Sequence, residues 1–205
     1  MNRLLVIVIG ILLTIAFCWT GIVFSSYVQL GGLEHYEDEA TGEFYPPPRA
    51  GIAQRGQKVY QELGCVYCHS QQVRRPGYGS DQDRDWGERQ SVSRDYIGDR
   101  TILLGVRRIG PDLMTVGERQ TSRDWYHRHL YDPRINTEGS TMPSYRFLYE
   151  ERRIEGEPSG RALDLPEGHR PSDGYEIVPT SRAEALVEYL LSLRLDYDLP
   201  EVPTE

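Results

Sequence analysis

The chain has 205 residues, and its 31 acidic side chains outnumber its 23 basic ones, which gives a formal net charge of −8. This balance argues against nucleic acid as a partner, because such binding needs a basic face that neutralises phosphates. Three cysteines are too few for the framework of a disulfide-rich secreted domain. The length suits one ordinary domain with an additional segment.

The first predicted element is an apolar segment, residues 4–24, which contains no charged side chain. As a helix it spans roughly 32 Å, enough to cross the hydrocarbon core of a bilayer. A cleaved signal peptide is the alternative, but the apolar segment is too long and lacks a small-residue cleavage site. We therefore predict an uncleaved membrane anchor within residues 1–30. Arg3 lies in the short N-terminal stretch before the apolar segment. It predicts that the N-terminus is cytoplasmic and that the chain after the anchor lies outside the cytoplasm.

The rest of the chain is polar and predicts a linker followed by a helical domain. Residues 31–50 contain paired glycines, acidic side chains and three consecutive prolines, a composition typical of a linker. Residues 51–205 form the predicted domain. Near-helical spacing of apolar side chains predicts its first helix over residues 50–63, with Gly64 as the stop.

Two further helices are predicted from their capping signals. Thr121 or Ser122 can cap a helix over residues 123–131, which the following Asp-Pro pair stops. A capping box that begins at Ser181 starts the last helix, and its apolar stripe predicts that it packs in the core.

Two long segments show no sustained hydrophobic period. Residues 80–108 are crowded with charges and predict a loop, whereas residues 150–179 are rich in Gly, Pro and Glu and predict an irregular surface excursion. Asp81, Asp83 and Asp85 could bind a hard cation, but we interpret them as part of a solvated charged loop. The elements together predict a mainly α fold, with one transmembrane helix and a small helical domain with long loops.

Residues 65–69 have the spacing C-x-x-C-H, the attachment signature of c-type haem. Two thiols at this spacing can each add to one porphyrin vinyl group, and the histidine then falls beneath the iron as an axial ligand. Zinc would need further ligands, yet the remaining thiol, Cys18, lies in the predicted membrane span. A thiol-disulfide pair would want a βαβ pattern, which the sequence lacks. We therefore predict one covalent haem c on Cys65 and Cys68, with His69 as proximal ligand.

The second axial ligand is predicted to be Met142, which lies on a loop between two predicted helices. Met114 is the alternative, but its place near the proximal side favours a core-filling role. We interpret the remaining histidines as surface or packing residues: His35, His127, His129 and His169. With both axial positions filled the iron has no open site for oxygen, so electron transfer is the predicted role.

Four motifs together resemble subunit II of cbb3-type cytochrome c oxidases. They are CVYCHSQQVR at residues 65–74, GPDL at 110–113, WYHRHLYDPR at 125–134 and MPSY at 142–145, all behind the N-terminal anchor. The resemblance implies an anchored mono-haem protein with a class I cytochrome c-like domain, in the bacterial cytoplasmic membrane with its haem domain on the periplasmic side. It also implies that the subunit is not itself catalytic. Electrons would pass from a di-haem cytochrome c subunit to the haem-copper catalytic subunit.

The same resemblance implies roles for individual residues. Cys65 and Cys68 would hold the haem, and His69 and Met142 would ligate its iron. The carbonyl of Pro111 would accept a hydrogen bond from the proximal imidazole, as in class I cytochromes c. Two alternatives stay open: another anchored mono-haem cytochrome, such as the small subunit of a nitric oxide reductase or a stand-alone carrier, and a membrane-tethered thiol-disulfide protein.

Overall fold

One long helix begins the chain in the computed structural model, which describes residues 3–202. It consists of α1 (Arg3–Trp19), a π-helical turn (Thr20–Phe24) and α2 (Ser25–Leu30). None of its side chains is buried by the rest of the described chain. By length and composition the helix can cross a membrane. The predicted helix of membrane-spanning length is therefore confirmed.

A short antiparallel hairpin follows, within the segment that the sequence predicts as a linker. Strand β1 (Tyr36–Glu37) pairs with β2 (Phe44–Tyr45). The ring of Tyr45 stacks on that of Tyr197, with centroids 5.0 Å apart. This part of the linker therefore packs against the C-terminal part of the domain.

The helices of the domain are α3 (Gly51–Glu62), α4 (Val116–Arg119), α5 (Arg123–Tyr131) and α6 (Ser181–Leu191). Three of them, α3, α5 and α6, lie at the predicted positions, whereas the single turn α4 was not predicted. Gly64 follows α3 with φ +71°, in the left-handed region that ends helices. Ser122 caps α5, because its Oγ accepts a hydrogen bond from Trp125 N at 3.3 Å. The cap of α6 is one residue earlier than predicted: Thr180 Oγ1, not Ser181, accepts the bond from Ala183 N.

The contact between α3 and α6 is the centre of the domain. A Cβ at Gly56 would lie 1.8 Å from the carbonyl oxygen of Ala185, so only glycine allows the two helices to approach this closely. Tyr60 and Tyr189 are fully buried there and meet edge to face, with ring centroids 5.4 Å apart. Leu130 of α5 joins the same main core.

A second hairpin corrects the prediction of an irregular excursion over residues 150–179. Strands β3 (Tyr149–Arg153) and β4 (Tyr175–Pro179) pair antiparallel, with Tyr149 opposite Pro179. Most side chains of β3 are exposed and most of β4 are buried, so neither strand shows the alternation by which strands are recognised in sequence. The sheets remain small, and the mainly α fold class is confirmed.

A smaller second core lies between the charged segment and the C-terminal residues. It contains Val73, Met114 and Leu195, and the hairpin residue Tyr36 packs against it. Met114 is only 3% exposed, which agrees with the core-filling role predicted for it.

Candidate haem site

The two thiols and His69 lie on one tight turn directly after α3. Cys65 begins a 3₁₀ turn, and its carbonyl oxygen accepts hydrogen bonds from Cys68 N at 3.1 Å and His69 N at 3.0 Å. Both thiols are free of disulfide bonds and half-buried. This turn places on one side of the main core the three groups that a covalent haem c requires.

The imidazole of His69 is fixed in one tautomer by the backbone. Its Nδ1 lies 2.8 Å from the carbonyl oxygen of Pro111. A carbonyl can only accept, so Nδ1 carries the proton and Nε2 keeps a free lone pair. Burial lowers the pKa of His69, although the bond to Pro111 and the charge of Asp112 act in the opposite direction. The ring is therefore neutral at physiological pH, which is the form that ligates metals.

Gly110 forms a cradle for this imidazole. A Cβ at Gly110 would lie 2.2 Å from His69 Cε1 and 2.8 Å from each ring nitrogen. The backbone on either side is held in place, because Gly110 N donates to Cys68 O at 3.0 Å and Leu113 N donates to Ser70 O at 2.8 Å. The Gly-Pro-Asp-Leu segment therefore lies close against the ring of His69 and presents the Pro111 carbonyl to it.

Beneath this contact is a polar cluster that the sequence analysis missed. We call it the proximal cluster: the buried side chains of Ser70, Asp81 and Asp112, the half-buried Arg108, and the backbone of Gln72. The predicted solvated loop is wrong for Asp81, which is 2% exposed. Burial alone would raise the pKa of Asp81, but hydrogen bonds from Arg108 and from the Arg74 N–H outweigh it and hold that pKa below its usual value. No periodicity marks a buried ion pair inside a charged segment, so only the fold reveals it.

Met142 lies on a loop that reaches the thiol turn from another direction. Tyr145 N donates to Leu130 O at 2.8 Å, which ties the loop to α5. Burial, followed by the proximity of Cys65 and Cys68, raises the pKa of Tyr145 to about 12, so this side chain lies beside both thiols. The thioether of Met142 packs against the same main core.

Side-chain hydrogen bonds from Arg134 and to Ser140 hold the Met142 loop in shape. Arg134 donates from Nη1 to Met142 O at 3.5 Å and from Nη2 to Ser144 Oγ at 2.6 Å. Met142 N also donates to Ser140 Oγ at 3.3 Å. The loop is therefore ordered by the protein itself, although the role of Met142 as an iron ligand stays a prediction.

His129 is a site residue whose position the sequence analysis did not recognise. Its ring stacks on Trp125, with centroids 4.6 Å apart and planes 9° apart. Its Nδ1 is buried without a hydrogen-bond partner in the described chain. Burial, and secondarily the charge of His69, lowers its pKa to about 4, so the ring is neutral. His127, in contrast, is a packing residue that contacts the Tyr149 hydroxyl at 3.2 Å.

The residues present fit a covalent haem. Two free thiols share a turn, a neutral imidazole has its Nε2 lone pair free, and the backbone of Gly110 lies close against that imidazole. Buried polar atoms nearby, His129 Nδ1 and the hydroxyl of Tyr60, lack a partner within the described residues. Residues 3–202 contain no group of three or more His, Cys, Asp or Glu side chains that could hold a metal ion by themselves.

Comparison with known proteins agrees with this site. The family described as cytochrome C oxidase, mono-heme subunit/FixO matches residues 6–159, about three quarters of the chain. The matched part runs from the membrane helix through the thiol turn and the Met142 loop. The search of curated proteins finds no match.

Proposed function

Because the chain belongs to the FixO family, the mono-haem subunits of cytochrome c oxidase, we propose that it relays single electrons to the catalytic subunit of its oxidase. Family membership makes the chain a subunit of the cbb3 type with one haem c. The finer proposal concerns partners: a di-haem cytochrome c subunit supplies the electrons, and a haem-copper subunit receives them. In this proposal the chain catalyses no reaction by itself.

Each predicted site residue has a distinct task in this proposal. Cys65 and Cys68 would hold the haem through thioether bonds, and His69 Nε2 and the Met142 thioether would bind its iron. When bound, the haem supplies an iron centre that takes up and gives off one electron. The carbonyl of Pro111 keeps the Nδ1 proton on His69 and so makes Nε2 a stronger donor.

One observation carries the proposal: the His69 ring is fixed in the tautomer that iron ligation through Nε2 would need. Its Nδ1–H is bonded to Pro111, and the backbone of Gly110 lies so close to the ring that a Cβ there would collide with it. A histidine that merely packed in the core would not need a free Nε2 beside two free thiols. Met142 and Cys65 pack against the same main core, which supports Met142 as the second iron ligand.

The membrane helix and the charge flanking it support a location for this relay. The helix from Arg3 to Leu30 has its basic residue at the N-terminal end and acidic residues after the other end. The positive-inside tendency then leaves the N-terminus in the cytoplasm and the haem domain on the periplasmic side of the bacterial inner membrane. Electrons would enter from that side.

The thiol-disulfide alternative is disfavoured by electrostatics. Burial raises the pKa of the Cys65 thiol to about 11. A redox-active thiol needs the opposite, a lowered pKa that makes thiolate abundant at neutral pH. Among the anchored cytochromes, the family match favours the oxidase subunit over the small subunit of a nitric oxide reductase.

The proposal is tested by purifying the chain from its native membrane in mild detergent, through a tag on its C-terminus. We expect a dithionite-reduced spectrum with a c-type signal, together with b-type haem and a component that binds carbon monoxide, because the catalytic subunit should accompany the chain. Replacing both Cys65 and Cys68 by serine should remove this chain's c-type signal, whereas the control Cys18→Ser should keep it. A c-type signal without any co-purifying b-type haem would contradict the assignment to an oxidase complex.

A further inference from the structure

Arg108 is the central residue of the proximal cluster beneath His69. Its Nε donates to Ser70 Oγ at 2.7 Å, and its Nη2 donates to the Gln72 carbonyl at 2.6 Å. Both terminal nitrogens bond to the carboxylate of Asp81, and Nη2 also lies 3.4 Å from Asp112 Oδ2. One guanidinium thus joins the segment that follows His69, the charged segment and the segment that contains Pro111.

Asp112 connects this guanidinium to the His69–Pro111 bond. Its side chain is fully buried and immediately follows Pro111. Its Oδ2 accepts from Ser70 Oγ at 2.5 Å and from Gln72 N at 2.9 Å, while its Oδ1 accepts from Met114 N at 2.8 Å. Asp112, the residue after the Pro111 carbonyl that accepts from His69, is therefore fixed to Ser70 and Gln72 in the segment that follows His69.

Arg108 is the cation whose side chain contacts both carboxylates of the cluster. The Asp81 side chain is 2% exposed and that of Asp112 is 0% exposed, whereas Arg108 retains 13%. A buried carboxylate that loses its cation is strongly unfavourable, so removing Arg108 would drive one or both side chains toward water. Asp81 also accepts from Arg74 N at 2.7 Å, which extends the same connection along the chain after His69.

We propose that Arg108, braced by Asp81, is a positioning residue for the iron site. It keeps the Pro111 carbonyl on the Nδ1–H of His69 and so preserves the orientation in which Nε2 faces the iron. The charged segment at residues 80–108, for which the sequence analysis found no function, supplies both members of this ion pair. The inference rests on the proposed function, because it assigns His69 as the iron ligand.

The full chain offers a matched control for this idea. Arg89 and Asp95 form another buried ion pair, with side chains 4% and 0% exposed. Arg89 donates to Asp95, to Tyr197 O and to Gln90 O, none of which belongs to the proximal cluster. Arg89→Gln therefore breaks a pair at least as buried without touching the support of His69.

The experiment measures solvent exchange of the His69 Nδ1 proton by NMR in the full, haem-loaded, reduced chain in detergent. We expect Arg108→Gln to accelerate this exchange about tenfold or more over Arg89→Gln, because a hydrogen bond that loses its support opens more often. A global loss of stability would accelerate exchange in both variants alike. Equal exchange rates in the two variants would overturn the inference.

A second variant decides the case if Arg108→Gln does not accumulate. Asp81→Asn keeps an oxygen that can accept from Arg74 N but removes the charge that braces Arg108, and Asp95→Asn is its control. Faster Nδ1 exchange in Asp81→Asn than in Asp95→Asn supports the inference, and equal rates overturn it. Wild-type chain without covalent haem would overturn the proposed function as well, whereas haem-loaded variants with unchanged exchange would overturn the inference alone.

Discussion

Gly110→Ala is the substitution that tests the geometry around His69 most sharply. The new methyl group would have to occupy a position 2.2 Å from His69 Cε1 and 2.8 Å from both ring nitrogens. The flexible end of a side chain could move away at small cost, but this imidazole is held by its turn and by the bond to Pro111. Either the ring or the Gly-Pro-Asp-Leu segment must therefore shift.

The expected cost combines two effects. Inserting a methyl group into a packed region costs about 1–3 kcal/mol. Losing the hydrogen bond between His69 and Pro111 costs about 1 kcal/mol more. The sum, roughly 2–4 kcal/mol, is below the total stability of a typical domain, so the variant should still fold. For a chain of this length it corresponds to a fall in Tm of roughly 4–16 °C.

The assay is thermal unfolding of the haem-loaded chain, together with its reduction potential. The bond to Pro111 makes His69 a stronger donor, and a stronger donor favours oxidised iron, so losing the bond should raise the potential. Gly98→Ala is the control, because a Cβ at Gly98 meets nothing within 4 Å. If Gly110→Ala matched Gly98→Ala in both Tm and potential, the account of the His69 cradle would be refuted.

Four further changes test other parts of the molecule. Met142→Ala should keep covalent haem but lower the reduction potential and open the iron to carbon monoxide. The control Met114→Leu should change neither the potential nor the binding of carbon monoxide. If carbon monoxide left the optical spectrum of Met142→Ala unchanged, Met142 would be excluded as the ligand. Cys65→Ala combined with Cys68→Ala should abolish covalent haem and most cooperative unfolding, since haem fills the core of such a small unit; retained cooperativity by circular dichroism would count against this. Gly56→Ala should destabilise the domain by about 3 kcal/mol or more, measured by denaturant unfolding, because its methyl group meets the α6 backbone; a loss below about 1 kcal/mol would mean that the helices separate easily. Finally, the pKa of Asp81 is lowered on folding, so its contribution to stability is present above about pH 4 and is lost as the pH falls further. The difference in stability between wild type and Asp81→Asn should therefore shrink on acidification. A difference that stayed constant would contradict the ion pair.

The helices and the thiol turn could be predicted because their signals are local. Ser122 lies directly before α5, and Gly64 lies two residues after the end of α3. The C-x-x-C-H spacing depends only on neighbours along the chain. The cap of α6 was predicted one residue too late, because Thr180 and Ser181 can both accept the capping bond. The short helix α4 was not predicted.

The rest of the site depends on contacts between distant segments. The charges of Asp81 and Arg108 suggest a solvated loop until the fold brings them together across 27 positions. His129 shows the same limit: its place on α5 predicts packing, and only the fold reveals the buried, unpartnered Nδ1 near His69. Hydrophobic period reports burial of apolar side chains, but it contains no information about which charges are buried together.

The hairpin β3–β4 was missed for a related reason. Alternating burial identifies a strand that has one solvent-exposed face, but β4 is buried along four consecutive residues and β3 is exposed along four. Its two strands are also separated by more than twenty residues that follow no regular pattern. Pairing across such a distance is decided by the core that β4 covers, which the sequence alone does not display.

The most direct test of the central claim is a mass-spectrometric map of haem attachment. Trypsin cleaves after Lys58 and after Arg74, so one peptide, residues 59–74, should contain both thiols of the C-x-x-C-H turn. In the chain purified from its native membrane, we predict that this peptide carries the mass of one haem and that neither thiol reacts with an alkylating reagent. An unmodified peptide with two reactive thiols would contradict the account.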